Sequence, residues 1–326
     1  MLSAEFLSDG RQFIPAQAKT YTIAVREKLG LALTEQKEWL DQVRAELSHR
    51  CYQPEHGPLF TIQVTRFEHS DVLHVSVDEL IVDAWSIEQV FSEWSALYAK
   101  PELTLPALTL SFRDYVLALT GFESAPRYQQ DLQYWLTKLR AIKPGPELPK
   151  ASDWNGLHQC QRLSHCLASE HYAQLKQVAA DWAVSPTALV LTLFIRVLQQ
   201  YSRQPEFTLV LTYFNRLALH EQVNELIAPM ISTALFVAEA GSDSLQQHAQ
   251  QVHAELLADF DHLTVSGVRV LRELKRQKLC SNDFSLPIVF TSLLGQPINR
   301  TPEHFLQQQT YAVTQNAANV FRLPGL

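Results

Sequence analysis

Alternating apolar and polar residues predict strands in the first part of the chain. The alternation occurs at residues 21–25 and again at residues 59–67, and it places successive side chains on opposite faces of a sheet. Between these segments, Thr34 can cap a helix. The apolar residues of that helix recur at helical spacing and would pack on the sheet: Trp39, Leu40, Val43 and Leu47. The order strand, helix, strand is typical of a mixed α/β fold.

The same pattern continues further along the chain. Residues 72–77 predict a third strand, after which Ser86 and Gln89 have the spacing of a capping box at the start of a helix. Residues 207–213 and 286–291 are the best later candidates for strands. The sequence therefore predicts strands in both halves of the molecule.

Helices are predicted between the later strands. Ser185 supplies an N-cap and Pro186 a first-turn proline for a helix that is apolar on nearly every face through Leu198. Such a helix is expected to be central and buried. Residues 245–260 and 265–277 have the periodicity of two further helices.

Two proline-rich passages interrupt these elements, at residues 101–106 and 144–149. The helix predicted between them carries Leu132, Trp135, Leu136 and Leu139. We place the domain boundary at the second passage. The prediction is an N-terminal lobe at residues 1–149 and a C-terminal lobe at residues 150–326.

Composition and charge narrow the classes of function. The 326 residues are 46% hydrophobic and 19% charged, and the formal net charge is −7, so no basic surplus is available for a nucleic acid. The most apolar stretch, residues 188–198, is too short to span a membrane, which needs about 20 apolar residues. The first residues do not have the pattern of a secretory signal. We expect a cytoplasmic protein with small-molecule or protein partners.

Four cysteines are present: Cys51, Cys160, Cys166 and Cys280. Their irregular spacing fits buried or incidental thiols in a reducing compartment better than a disulfide framework or a zinc site. No metal is expected.

Two acids five positions apart bracket an apolar turn. Asp78 directly follows the third predicted strand, with Glu79 beside it, and Asp83 comes just before the next helix. A carboxylate at a strand end can orient a nucleophile or relay protons, and burial can raise its pKa. The alternative is that Asp78 and Glu79 are solvated surface charges and that Asp83 is a partner in a structural ion pair.

A series of short motifs resembles one family. Asp78 and Asp83 match its DxxxxD motif, at a place where ordinary condensation domains carry HHxxxDG. The further motifs are LSFRDY at 110–115, YW at 134–135, PELP at 146–149, SPTA at 185–188, FTL at 207–209, FNR at 214–216 with His220 and Asn224, and PIVFTSLLG at 287–295. In this order and across nearly the whole chain, they identify the sequence as similar to the heterocyclization domains of nonribosomal peptide synthetases.

The resemblance implies a fold of two chloramphenicol-acetyltransferase-like α/β lobes with a tunnel between them. Carrier domains are the implied partners, and their phosphopantetheine arms enter the tunnel from opposite sides, so no directly bound cofactor is expected. One arm presents an acyl thioester and the other a cysteine, serine or threonine, whose amine attacks the thioester. The side chain then adds to the new amide carbonyl, and loss of water leaves a thiazoline or oxazoline in a siderophore-like peptide.

The resemblance also implies roles for individual residues. Asp83 would form a buried ion pair with Arg216 across the interface between the lobes, and Asp78 would lie at the strand end beside the tunnel. Thr291 would offer its hydroxyl to the proton relay of cyclodehydration; the alternative is an ordinary β-branched strand residue. The implied supporting residues are Glu79, Asn215, Ser232 and Ser292.

Several positions depart from the family's pattern. Residues 2–4 match a segment from within the family's sequence, so we expect a fold that is truncated at both ends. Val210 stands where the family often has asparagine, and residues 228–232 (APMIS) replace Gly-Asp-Phe-Thr-Ser. Near residues 314–322, no acid stands where the family usually has an aspartate that partners the threonine. Each lost transition-state contact can lower a rate roughly 10²–10³-fold.

Three hypotheses about function follow. The first is a working condensation and heterocyclization enzyme. The second is a degenerate, non-catalytic relative that binds carrier domains or is a gene fragment. The third is a stand-alone acyltransferase of the same fold, but that class has a histidine at the strand end, where Asp78 and Glu79 stand.

Overall fold

The computed structural model describes residues 1–17, 20–48, 50–149 and 163–294, which form a mixed α/β fold as predicted. Its strands are β1 (Glu5–Phe6), β2 (Gln12–Phe13), β3 (Ala24–Glu27), β4 (Phe60–Arg66), β5 (Asp71–Val77), β6 (Phe207–Phe214), β7 (Ile231–Ala238) and β8 (Val289–Phe290). Its α-helices are α1 (Leu33–Ser48), α2 (Ala84–Ala99), α3 (Phe112–Phe122), α4 (Pro126–Lys138), α5 (Ser169–Asp181), α6 (Pro186–Tyr201), α7 (Leu245–Phe260) and α8 (Gly267–Arg276). The strands are arranged in the orders β1-β2, β3-β4-β5 and β7-β6-β8.

The sheet β3-β4-β5 carries the first predicted acid at the end of its last strand. β3 runs parallel to β4, so the chain must cross over between them, and α1 is that crossover. β4 and β5 are antiparallel, from Phe60 opposite Val77 to Arg66 opposite Asp71. β5 therefore ends at the turn that leads into α2.

β6 is the central strand of the sheet β7-β6-β8. It pairs antiparallel with β7 and parallel with β8. Because side chains alternate along a strand, Leu209 and Leu211 pack with α6 and α7, whereas Val210 packs with α4 and α8. Both faces of this sheet are thus covered by helices, with α6 at the centre of one cluster as predicted.

Most of the predicted elements are present. α7 has the predicted bounds, and β4, β5, β6 and α8 lie within two residues of theirs. The strand predicted at residues 286–291 is reduced to the two residues of β8, and the one predicted at 21–25 begins only at Ala24. β7 was not predicted, because a strand covered on both faces is apolar on both and shows little alternation.

Two predicted helix caps are wrong. Ser86 lies in the first turn of α2, whose N-cap is Asp83; the Asp83 carboxylate accepts a hydrogen bond from the backbone N–H of Ser86. Aspartate and serine are about equally good N-cap residues, and Asp83 precedes Ser86 by the three residues that this hydrogen bond requires. Thr34 likewise lies inside α1, which begins one residue before it.

The division of the chain at residues 149 and 150 stays a prediction. α4 precedes that point, yet its Trp135 belongs to the same buried cluster as Leu235 of β7 and Val270 of α8. The sheet β7-β6-β8 is therefore covered partly by residues from the first 149. Residues 150–162 lie outside the described ranges.

No single membrane-spanning helix and no disulfide is found among the described residues. No single helix there has the length and apolar character to cross a bilayer, and α5 and α6 meet those criteria only as a pair bent by 98°. Cys166 and Cys280 are free thiols, and Cys51 is exposed. Cys160 is outside the described ranges.

Candidate active site

The turn between β5 and α2 holds the first predicted acid. Asp78 is 3% exposed, and its Oδ1 accepts a hydrogen bond from the backbone N–H of Leu80 at 2.9 Å. The backbone N–H of Asp78 donates to the carbonyl of Leu59, also at 2.9 Å. Asp78 therefore shapes the turn. Partial burial and, to a smaller extent, the Asp78 carboxylate raise the pKa of the neighbouring Glu79 carboxyl.

The second predicted acid forms the predicted ion pair. Nη2 of Arg216 lies 3.1 Å from Oδ1 and 3.3 Å from Oδ2 of Asp83, and the two side chains are 4% and 1% exposed. Oδ1 also accepts from the Ser86 N–H at 2.8 Å, and Oδ2 accepts from the Met230 N–H at 3.1 Å. Both carboxylate oxygens thus have partners, as burial of a charged group requires.

Ser86 completes a unit that we call the latch, consisting of Asp83, Ser86 and Arg216. Ser86 Oγ accepts from Arg216 Nη2 at 2.9 Å, and it exchanges hydrogen bonds of 3.0 Å with the backbone N–H and carbonyl of Ala228. Arg216 Nη1 donates at 3.0 Å to two further carbonyl oxygens, those of Val223 and Leu226. The latch joins the start of α2 to the loop between β6 and β7.

Asn215 acts through its backbone. Its N–H donates to the carbonyl of Met230 at 2.8 Å, and its own carbonyl accepts from Tyr115 Oη at 3.2 Å. Among the described residues, its buried Oδ1 has no hydrogen-bond partner. Burial raises the pKa of Tyr115, whereas a hydrogen bond from the Leu217 N–H and the charge of Arg216 oppose that rise. Asn215 therefore connects β6 to the loop that holds the latch.

The predicted relay residue lies directly after β8, beside the central strand. Leu211 stands opposite Phe290 in the parallel pairing, so the next residues, Thr212 and Thr291, are neighbours. Thr212 Oγ1 donates to Thr291 Oγ1 at 2.8 Å. Thr291 is exposed, so its side chain does not enter the core.

Ser292 fixes the chain that follows β8. Its Oγ lies 3.1 Å from the hydroxyl of Thr187 in the first turn of α6, and it accepts from the N–H of Leu294 at 3.3 Å. The position of Thr291 is thus defined from two sides, by β6 through Thr212 and by α6 through Ser292.

Residues 228–232 contribute to the latch through their backbone. Their apolar side chains include Met230, which is buried, and the backbone N–H groups of Ala228 and Met230 bind Ser86 and Asp83. Ser232 stands opposite Tyr213 in the β6–β7 pairing. Burial raises the pKa of Tyr213 to about 12, although a hydrogen bond with Ser232 opposes the rise.

The predicted site residues thus fall into separate groups. The latch and the pair formed by Thr212 and Thr291 are connected by β6, since Arg216 follows Thr212 by four residues. No hydrogen bond or ion pair within the described ranges joins Asp78 or Glu79 to Thr291. In the same ranges, no group of three or more His, Cys, Asp or Glu side chains could hold a metal ion.

Sequence reasoning missed three residues of the site. Ser86 was assigned to a cap, although its place three residues after Asp83 is where an N-cap carboxylate binds the backbone. Thr212 lies on the same face of β6 as Val210, which stands where the family often has asparagine. Trp85, whose ring lies 5.6 Å from the guanidinium carbon of Arg216, gave no signal beyond its aromatic character.

Comparison with known proteins identifies the family. The model of the condensation domain matches residues 5–321. The chain belongs to the condensation-domain family. The predicted family and α/β fold are therefore confirmed, and the described elements are those of a condensation domain.

Individual relatives come from peptide synthetases. The chain is 32% identical to bacitracin synthase 1 of Bacillus licheniformis over 88% of its length, 29% identical to pyochelin synthetase PchF of Pseudomonas aeruginosa over 90%, and 29% identical to phenyloxazoline synthase MbtB of Mycobacterium tuberculosis over 90%. It covers only 6%, 16% and 21% of those proteins.

A solved structure of a peptide-synthetase cyclization domain is also similar to this chain. The EpoB cyclization-docking bidomain from Sorangium cellulosum is 33% identical and superposes with a TM-score of 0.76, over 90% of this chain and 60% of that one. The chain thus spans less than two thirds of each of these proteins.

Proposed function

We propose that the chain catalyses heterocyclization in nonribosomal peptide synthesis. It would join a carrier-bound acyl thioester to a carrier-bound cysteine, serine or threonine and then close a thiazoline or oxazoline ring. The similarity to a phenyloxazoline synthase and to a cyclization domain supports this reaction over simple condensation. The pyochelin synthetases among the relatives support a siderophore-type product. The partners would be carrier domains in the cytoplasm, and their phosphopantetheine arms would bring both substrates.

The observation that carries the proposal is the placement of Thr291. Thr291 is an exposed residue directly after β8; its hydroxyl is hydrogen-bonded by Thr212 of β6, and the next residue, Ser292, contacts Thr187 of α6. A hydroxyl in this position can pass a proton without itself being charged. Condensation alone does not require such a group, whereas the loss of water does.

The latch supports the same function in a different way. Both oxygens of Asp83 and both terminal nitrogens of Arg216 make hydrogen bonds, and we propose that the pair shapes the cleft and does not take part in chemistry. Asp78, which holds the turn before α2, is proposed to define the wall at the strand end. Two substrates aligned in such a cleft gain from proximity, worth up to about 7–11 kcal/mol when the geometry is good.

The proposed reaction needs no reactant other than the two carrier-bound substrates. The amine attacks the thioester carbonyl, and the carbon–sulfur bond breaks to release the thiol of the donor arm and leave an amide. The thiol or hydroxyl side chain then adds to the amide carbonyl. The resulting hydroxyl leaves as water with one proton, and the nitrogen loses its proton as the carbon–nitrogen double bond forms.

The test is mass spectrometry of intact carrier domains after this chain is mixed with an acyl-loaded and a cysteinyl-loaded carrier. We expect a product one water lighter than the linear amide. Thr291→Val is expected to lower the cyclised fraction while linear amide still forms, and Thr120→Val, at an exposed position on α3, serves as the matched control. Linear amide alone from the unmodified chain would limit the function to condensation. Unchanged carriers would favour a non-catalytic domain.

A further inference from the structure

We propose that Thr212 is a positioning residue that fixes the direction in which Thr291 donates its proton. The inference rests on the proposed function and adds a residue to it. It starts from one contact: Thr212 Oγ1 donates to Thr291 Oγ1 at 2.8 Å across neighbouring strands. That distance is the usual one for a hydroxyl-to-hydroxyl hydrogen bond.

The chemistry of a hydroxyl group gives this contact a direction. A threonine hydroxyl has a single proton and two acceptor lone pairs. When Thr291 Oγ1 accepts a hydrogen bond from Thr212, its own proton must point elsewhere, and Thr291 is an exposed residue. Thr212 thereby makes Thr291 a donor in directions away from β6. A hydroxyl that accepts a hydrogen bond is also polarised into a stronger donor.

The backbone keeps Thr212 in place. It lies on β6, which is hydrogen-bonded to β7 on one side and to β8 on the other. Threonine is β-branched, so few rotamers are available to it in a strand. Four residues later, Arg216 forms its ion pair with Asp83 in the latch. Thr212 therefore acts as a fixed reference for the Thr291 hydroxyl.

The direction of the proton matters in the step that removes water. As the carbon–oxygen bond of the adduct breaks, Thr291 gives its proton to the departing hydroxyl, which leaves as water. Thr291 then regains a proton from the ring nitrogen, whose electron pair forms the carbon–nitrogen double bond. Thr212 forms no bond with the substrate. Its contribution is to exclude the rotamer in which the Thr291 proton points toward β6.

The experiment compares three variants with the unmodified chain. Thr212→Val has nearly the same shape but lacks the hydroxyl, Thr212→Ser restores it, and Thr233→Val changes the threonine that stands opposite Thr212 on β7. We expect Thr212→Val to lower the rate of cyclised product about ten- to a hundredfold, the range that misplacement of a reacting group produces. Linear amide formation and the KM values for both carriers should stay the same. Thr212→Ser should recover most of the loss, and Thr233→Val should cyclise normally.

The outcomes that would overturn the inference alone differ from the outcome in which the proposed function fails. If the unmodified chain cyclises and Thr212→Val does so equally well, only the inference is wrong. If the unmodified chain forms no cyclised product, the proposed function is wrong and the inference with it. Equal loss of linear amide and cyclised product in Thr212→Val would indicate general damage to the fold and would also refute a positioning role.

A second measurement does not depend on turnover. Thr212→Val, Thr291→Val and the double variant form a cycle of melting temperatures. If the hydrogen bond exists in solution, the double variant should melt near the temperature of the less stable single variant. Strictly additive losses would show that the two hydroxyls do not interact, and they would overturn the proposal at its starting point.

Discussion

Two ion pairs with buried carboxylates connect distant parts of the chain, and they differ in how many of the carboxylate oxygens have hydrogen-bond partners. In the latch, Asp83 is 1% exposed and both of its oxygens accept hydrogen bonds. The second pair, which we call the helix network, joins Lys138 of α4 to Asp259 of α7 at 2.6 Å, with Tyr134 donating to the same oxygen at 2.9 Å. The other oxygen of Asp259 has no partner among the described residues.

Because of this difference, we expect the latch to be more sensitive to substitution than the helix network. Burial raises the pKa of Asp259, although the charge of Lys138 opposes the rise. A carboxylate of this kind can take up a proton when it is disturbed. Asp83 is held by an arginine and by backbone N–H groups from two segments, so any change there affects α2 and the loop after β6 together. Burial of an ion pair alone therefore does not mark a functional site.

The largest expected effect comes from breaking the latch. Asp83→Ala leaves the Arg216 guanidinium buried without its partner, so we expect the free energy of unfolding to fall by about 3–5 kcal/mol. Urea denaturation measures the change. The matched control is Asp71→Ala, which removes a surface pair with Arg66 and should cost less than about 1 kcal/mol. A loss at Asp83 no larger than that of the control would mean that the pair contributes little.

The helix network should give a smaller and pH-dependent effect. Lys138→Met leaves Asp259 with only the Tyr134 hydroxyl, so we expect a loss of about 2–3 kcal/mol near pH 8. Without Lys138 the pKa of Asp259 rises further, so the deficit should shrink as the pH falls through that pKa and the carboxyl is protonated. Urea denaturation at pH 5 and pH 8 tests the sign.

Activity provides the sharper contrast between the two regions. Because the helix network holds α4 to α7 and none of its members belongs to the predicted site, Lys138→Met should leave the ratio of cyclised to linear product unchanged in the folded protein. A changed ratio would mean that the helix network is coupled to the site, and the distinction between the two regions would be lost.

The two regions also show what sequence can and cannot predict. The Asp83–Arg216 contact was predicted because both residues lie in recognisable motifs, although 133 positions separate them. Asp259 and Lys138 gave no comparable signal, since a charged residue on an amphipathic helix is usually solvated. Ser86 and Thr212 were missed because their partners come from tertiary packing and strand register, which periodicity alone does not define.

The smallest expected effect concerns Glu79, at the turn beside the latch. Its folded-state pKa is raised above the ordinary 4.5, so its contribution to stability is fully present below that value and is lost as the pH rises through the folded pKa. Glu79→Gln should therefore match the unmodified chain at low pH and be slightly more stable at pH 8. Thermal unfolding across this range measures the difference. A variant less stable at pH 8 would contradict the sign.

A second substitution separates the two causes of that raised pKa. Asp78→Asn keeps an Oδ1 that can accept from the Leu80 N–H, so the turn should persist while the neighbouring charge is lost. Burial is the larger cause and the Asp78 charge the smaller. The gain from Glu79→Gln at pH 8 should accordingly shrink in the Asp78→Asn background without vanishing. If it vanishes, repulsion between the two acids dominates, and this end of β5 is more open to water than the latch beside it.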